Sequence, residues 1–174
     1  TALGEPFAGL PTDVRLAPVV IHSNAAGDTG TGGNGDVLAI MAGAGGVAEV
    51  ARDVLPGSVT SNSLRLANTL GMRGGDLVTV MQPSLGCMVQ QVTSGFTGST
   101  DQALPLAGPD YAAATIGSTS LADYQYAVGT QMMELGNPVD RPAQYNWIGV
   151  GPNDALLSYD LLQLNGRGFV PLPL

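Results

Sequence analysis

Two neighbouring segments of the chain alternate apolar with polar or small residues at a period of two. They span 74–81 and 86–93, so only a short connection separates them. A period of two is typical of half-buried strands, and so short a connection is typical of a hairpin. The pattern therefore predicts two antiparallel strands, over 76–81 and 86–93.

Shorter apolar runs continue this pattern on both sides of the hairpin, bounded by Gly, Pro, Asn and Asp that mark turns. One segment, 46–55, instead spaces its apolar residues as a helix does, with Pro56 and Gly57 as the stop signal. Residues 94–120 are low in charge and predict a long irregular excursion. The other predicted strands are 17–22, 37–41, 63–67, 124–135 and 144–150, while 156–164 fits either a strand or a short helix.

These elements predict a mainly β protein with antiparallel sheets, long loops rich in Gly, Ser and Pro, and at most one or two short helices. A length of 174 residues suits one domain, so we expect a single β-rich domain over 1–174. The chain does not begin with Met and ends on an apolar segment, which favours a fragment, or the soluble part of a longer protein or of a two-chain subunit. No apolar run is long enough to predict a membrane span within the chain.

Charge narrows the classes of partner. Only 11% of the residues are charged, the net charge is −8, and all six cations are arginines scattered along the sequence. Nucleic-acid binding draws on clustered Lys and Arg, and so does docking on anionic lipid headgroups. The composition therefore argues against both.

A glycine-rich turn raises one enzymatic alternative. Gly43, Gly45 and Ala48 fit the G-x-G-x-x-A form of the dinucleotide fingerprint, and an apolar strand precedes them. No alternating strand–helix pattern follows, so we favour an ordinary loop. A nucleotide- or small-ligand-binding enzyme using the turn over 43–48 stays as an alternative.

The loop after the first predicted strand carries oxygen ligands. Asp28, Asn34 and Asp36 are weak candidates for a calcium site, but the alternating EF-hand pattern is absent. A solvated turn is the favoured interpretation. We predict no metal and no cofactor.

Isolated reactive side chains do not assemble into a catalytic motif. His22 is the only histidine and has no ligand-spaced neighbour, and Ser84 lacks the first glycine of G-x-S-x-G. Asp154 and Asp160 could form a glycosidase pair, but so could many other pairs of acidic residues in this chain, so the signal is not specific. The single cysteine, Cys87, falls on an apolar strand and is predicted to be a buried thiol; its alternative is a partner cysteine outside this chain. We predict no catalytic residues and no enzyme.

Aromatic residues concentrate in the C-terminal part of the chain. Core packing is the favoured interpretation, and a carbohydrate-binding or adhesive β domain that uses Tyr145 and Trp147 is the alternative. The residues concerned are Tyr124, Tyr126, Tyr145, Trp147 and Tyr159.

The order of several short motifs resembles the globular region of PilW-like type IV pilus minor pilins. That family shows a "sDVL.v" strand, a short strand, a "GDLvlv" strand and a "C…fqVt" strand in this order. The matching segments here are GDVLAI (35–40), LRLA (64–67), GDLVTV (75–80) and CMVQQVT (87–93), with WIGVG (147–151) and LLSYDL (156–161) farther on. The resemblance covers about 13–165.

The resemblance implies a structural role in an extracellular filament or its assembly complex, without catalysis or cofactor. It implies other pilin-like subunits as partners and export to the periplasm or cell surface. Pilins begin with a long hydrophobic helix that this sequence lacks, so a separate hydrophobic helix chain is a further expected partner. The apolar ends, 1–10 and 169–174, are the expected contact segments, while no interaction residue is assigned individually.

Overall fold

The protein was analysed as a computed structural model that describes residues 17–23, 35–44, 50–83, 85–109, 111, 119–125, 129–150, 155–162 and 172–173. Within these residues the fold is mainly β with antiparallel sheets, as predicted. The strands are β1 (Val19–His22), β2 (Val37–Ala42), β3 (Arg52–Asp53), β4 (Ser63–Arg65), β5 (Leu77–Gln82), β6 (Gly86–Gln91), β7 (Ala103–Pro105), β8 (Gln131–Gly136), β9 (Gln144–Val150), β10 (Leu156–Asp160) and β11 (Leu172–Pro173), and a 3-10 helix spans Leu121–Gln125.

The chain divides into two compact units. Unit 1 comprises Thr1–Ala42 and Ala143–Leu174, and unit 2, Gly43–Pro142, lies between these two halves in the sequence. The expectation of a single domain over 1–174 stays a prediction.

Unit 1 is built on a five-stranded sheet in the order β1-β2-β9-β10-β11. Every neighbouring pair is antiparallel, and β2 and β9 lie in the interior of the sheet. Alternation along β2 and β9 sends one set of side chains to a buried face. That face carries Val37, Ala39, Met41, Tyr145, Trp147 and Tyr159.

Unit 2 contains a four-stranded sheet in the order β3-β8-β5-β6 and a two-stranded sheet of β4 and β7. The hairpin of β5 and β6 confirms the prediction for 76–81 and 86–93. One face of the larger sheet packs with the smaller sheet and the 3-10 helix into a single apolar cluster. Its members include Leu64, Val78, Val80, Met88, Leu104, Leu106, Tyr124 and Met132.

The predicted helix over 46–55 is wrong where the structure describes it. Residues 50–55 contain no helix, and Arg52–Asp53 instead form β3, which pairs with β8 through Arg52 and Met132. The β-branched Val50 and Val54 have poor helix propensity and suit a strand. Residues 45–49 lie outside the described residues.

Two further boundaries differ from the sequence expectation. The excursion over 94–120 contains β7, whose Leu104 pairs with Leu64 of β4. The strand predicted over 124–135 begins only at Gln131, because residues 121–125 form the 3-10 helix. The Asp123 carboxylate accepts bonds from the Ser120 N–H at 2.6 Å and its hydroxyl at 3.1 Å, which satisfies donors at the helix start.

Candidate functional site

Strand β2, in the interior of the unit 1 sheet, is apolar on both of its faces. Val37, Ala39 and Met41 of β2 are buried on one side, so alternation places Leu38 and Ile40 on the opposite side, where they are half-buried. The continuous apolar run of β2, VLAIMA, is the sequence signal for such a two-sided strand. Sequence reasoning identified the strands but did not draw this consequence.

Strand register assembles the second side into one apolar surface. Ile21 lies opposite Leu38, and Leu38 lies opposite Ile148, so these three side chains form a row across three strands. Val19 lies beside Ile40, and Val150 lies beside Leu156. We call this surface the aliphatic face: Val19, Ile21, Leu38, Ile40, Ile148, Val150 and Leu156.

Four members of the aliphatic face are substantially exposed to solvent. Val19 and Ile21 of the edge strand β1 are 58% and 63% exposed, and Val150 and Leu156 are 40% and 46% exposed. Clustered exposed aliphatic side chains are typical of protein-interaction sites, whereas single ones are ordinary. A polar corner completes the same side of the sheet, where Asn146 lies opposite Asp160 and Ser158 lies next to Ile148.

A second feature, in unit 2, is a cluster of buried charges where β5 begins and β8 ends. The carboxylates of Asp76 and Glu134 are fully buried, and the guanidinium of Arg141 lies between them. Its Nη2 atom is 2.7 Å from Glu134 Oε1 and 3.4 Å from Asp76 Oδ1. A β-bulge between Leu77 and Val78 sets the register that places Glu134 opposite Val78.

The Asp76 carboxylate is anchored further by neutral donors. It accepts the Arg73 backbone N–H at 2.6 Å and the Asn137 side-chain amide at 2.8 Å. Asn137 and Arg141 also exchange backbone hydrogen bonds across the turn that follows β8. The cluster therefore fixes that turn against the start of β5, and its chemistry is that of a structural tie between segments 65 residues apart.

The weak metal candidates are not brought together in the described part of the chain. Asp28 and Asn34 lie outside the described residues, and Asp36 is exposed immediately before β2. Within the described residues, no group of three or more His, Cys, Asp or Glu side chains is placed to hold a metal ion.

The prediction that Cys87 is buried is wrong. The side chain is exposed. Cys87 is the second residue of β6, close to the turn that joins β5 to β6, and β6 is an edge strand of its sheet. Alternation predicts that half of an edge strand's side chains leave the core, and the core-facing positions here belong to Met88 and Gln90. Partial desolvation raises the pKa of the Cys87 thiol, and the Thr79 hydroxyl opposes part of that rise.

Four of the five aromatic residues singled out in the sequence are described, and all four are buried in cores, which is the interpretation that the sequence favoured. Tyr124 is buried in unit 2, and Tyr145, Trp147 and Tyr159 are buried in unit 1, while Tyr126 lies outside the described residues. His22 is half-buried, and its ring meets the Trp147 ring edge-on at a centroid distance of 6.4 Å. This packing agrees with a structural role for the histidine.

The strand before the glycine-rich turn, β2, is not paired as the strand of a dinucleotide-binding site is. β2 pairs antiparallel with both of its neighbours, whereas the dinucleotide fold uses parallel strands. Of the turn itself only Gly43 and Ala44 are described, and the Ala44 N–H donates to the Leu135 carbonyl at 3.0 Å.

Of the catalytic candidates, Ser84 and Asp154 lie outside the described residues, and Asp160 accepts the Leu162 N–H at 2.9 Å.

Comparison with known proteins does not identify a family for this chain. No protein-family model, no curated protein and no solved structure matches the chain. Among the residues that the structure describes, we find no helix with the length and apolar character needed to cross a membrane. The resemblance to PilW-like minor pilins therefore stays a prediction.

Proposed function

We propose that this chain is a structural subunit of an extracellular filament or of its assembly complex, of the type IV pilus minor-pilin kind. It acts through protein–protein contacts and not through catalysis. The observation that carries the proposal is the aliphatic face, because an exposed apolar sheet surface of this kind favours burial against another protein. The order of the sequence motifs, which resembles that of PilW-like minor pilins, is the reason for proposing a pilus as the assembly.

Low charge supports the same role. With 11% charged residues, few ionic groups need to be desolvated when subunits pack closely. The expected partners are other pilin-like subunits. The proposal places the chain outside the cytoplasm, in the periplasm or on the cell surface.

The test is incorporation into filaments in the cells that naturally produce the protein. An Ile21→Glu, Leu156→Glu double variant places charge on two exposed positions of the aliphatic face, so it should fold normally but disappear from the sheared surface fraction. Val139→Glu is the matched control, because Val139 is 92% exposed and lies in unit 2. Equal recovery of all three proteins with the filaments, or absence of the unmodified chain from them, contradicts the proposal.

A further inference from the structure

The aliphatic face lies in acidic surroundings. Asp160 is on the same side of the sheet, separated from Ile40 only by Asn146, and exposed Asp36 immediately precedes β2. The described residues of unit 1 contain no Lys or Arg, and the chain as a whole carries a net charge of −8. Among the described residues, a ligand of this surface therefore meets apolar side chains at its centre and the carboxylates of Asp36 and Asp160 at its margin.

We propose that the aliphatic face binds an amphipathic segment of a different protein, in which the apolar side chains are flanked by Lys or Arg. The inference rests on the proposed function, since it names the chemistry of the partner. Apolar burial supplies the affinity, and complementary charge at the rim selects the partner and its orientation.

Charge separates this partner from the other candidates. In a symmetric contact between two copies, the same acidic surroundings face each other, and like charges in an interface are unfavourable. An anionic lipid surface repels the chain for the same reason. A basic-flanked protein segment alone satisfies both the apolar centre and the acidic margin.

The experiment uses the full chain and three dye-labelled synthetic peptides with one Leu/Ile stripe, flanked by Lys, Gln or Glu. Binding is measured by fluorescence anisotropy at low salt and near physiological salt, because screening between exposed charges strengthens over that range. We expect the Lys peptide to bind about tenfold more tightly than the Glu peptide at low salt, as about two exposed ion pairs allow. This preference should shrink at the higher salt.

Three variants assign the effect to the surface. Asp160→Asn keeps the oxygen that accepts the Leu162 N–H but removes the charge, so the Lys preference should fall while the Gln peptide binds unchanged. Ile21→Ser removes apolar area without adding charge, so it should weaken binding of every peptide, and Val139→Ser should leave all of them as they are. A Lys preference that Asp160→Asn does not reduce overturns the assignment.

The remaining outcomes separate this inference from the proposed function. Equal binding of the three peptides overturns the charge selection and leaves the protein-binding function standing. Concentration-dependent self-association that Ile21→Ser abolishes overturns the inference in favour of a second copy, with the structural role intact. Binding to phosphatidylcholine vesicles, with no peptide bound, overturns both proposals.

Discussion

Two arginines of unit 2 form ion pairs, one with buried carboxylates and one with an exposed carboxylate. Their removal should therefore lower the free energy of unfolding by different amounts. Arg141 forms ion pairs with the fully buried carboxylates of Asp76 and Glu134, whereas Arg73 pairs with Asp140 at a site where both side chains are 49% exposed. Removing one partner of a buried ion pair strands a charge in a poorly solvated site, while exposed pairs contribute little.

We therefore predict that Arg141→Met lowers the free energy of unfolding by about 3 kcal/mol or more. Arg73→Met, the matched control, should lower it far less, because the ion pair that it loses is exposed and the Arg73 backbone N–H still binds Asp76. Urea denaturation followed by circular dichroism measures both. Equal losses in the two variants would show that the buried cluster contributes no more than a surface ion pair.

Cys87 supplies a pH-dependent prediction. Partial desolvation disfavours its thiolate and raises the pKa of the thiol, while Thr79 opposes the rise. We expect alkylation by iodoacetamide to go to completion, because the side chain is exposed. The pH at which the alkylation rate is half its maximum should be higher in the folded protein than in the urea-unfolded chain. A half-maximal pH in the folded protein at or below that of the unfolded chain contradicts the assigned cause.

Between elements, a close backbone approach in unit 2 joins the loop after β4 to the loop after β6. Thr69 donates its N–H to the Ser99 carbonyl, its hydroxyl donates to the Asp101 carbonyl, and Gly98 donates its N–H to the Met72 carbonyl. A Cβ atom at position 98 would lie 1.8 Å from the Thr69 carbonyl oxygen. Only glycine fits there without moving one of the two loops.

Gly98→Ala should consequently destabilise the protein by more than about 2 kcal/mol, since backbone and not a flexible side chain must move. Gly57→Ala is the comparison: its Cβ would meet nothing within 4 Å, and its positive φ of 66° alone opposes alanine. That backbone strain costs about 1 kcal/mol. Thermal unfolding compares the two, and a smaller loss for Gly98→Ala would contradict the close approach.

The same elements show which parts of the fold the sequence could predict. The β5–β6 hairpin was predictable because six consecutive residues of each strand pair across it, long enough for a period of two to show. β3 and β7 have two and three residues, too few for any period, and they exist only because β8 and β4 offer backbone partners. Tertiary pairing of this kind leaves no local signal.

The candidate site was predictable only in part, for a related reason. The continuous apolar run in β2 is a signal for two apolar faces, but only the register shows that Ile21, Leu38 and Ile148 share one row. The buried charge cluster offered a weaker signal: Glu134 is a single acid within an apolar strand. Its partner Arg141 lies in a turn, and nothing in the local sequence connects it with Asp76.

At the scale of the whole molecule, each unit has buried apolar residues and hydrogen-bonded sheets of its own. Units with separate cores are able to open separately, and native-state hydrogen exchange detects such opening. Leu104 is fully buried in unit 2, and Trp147, the only tryptophan, is buried in unit 1. The two residues therefore provide a perturbation in one unit and a probe in the other.

We predict that Leu104→Ala lowers the stability of unit 2 by about 2–5 kcal/mol, with exchange protection falling across β5, β6 and β8. Protection in β2 and β9, and the urea midpoint of Trp147 fluorescence, should stay near their original values. Tyr159→Ala, which opens a cavity in unit 1, should give the reverse pattern. If either substitution lowers protection equally in both units, the chain unfolds as one cooperative domain over 1–174, as its length predicts.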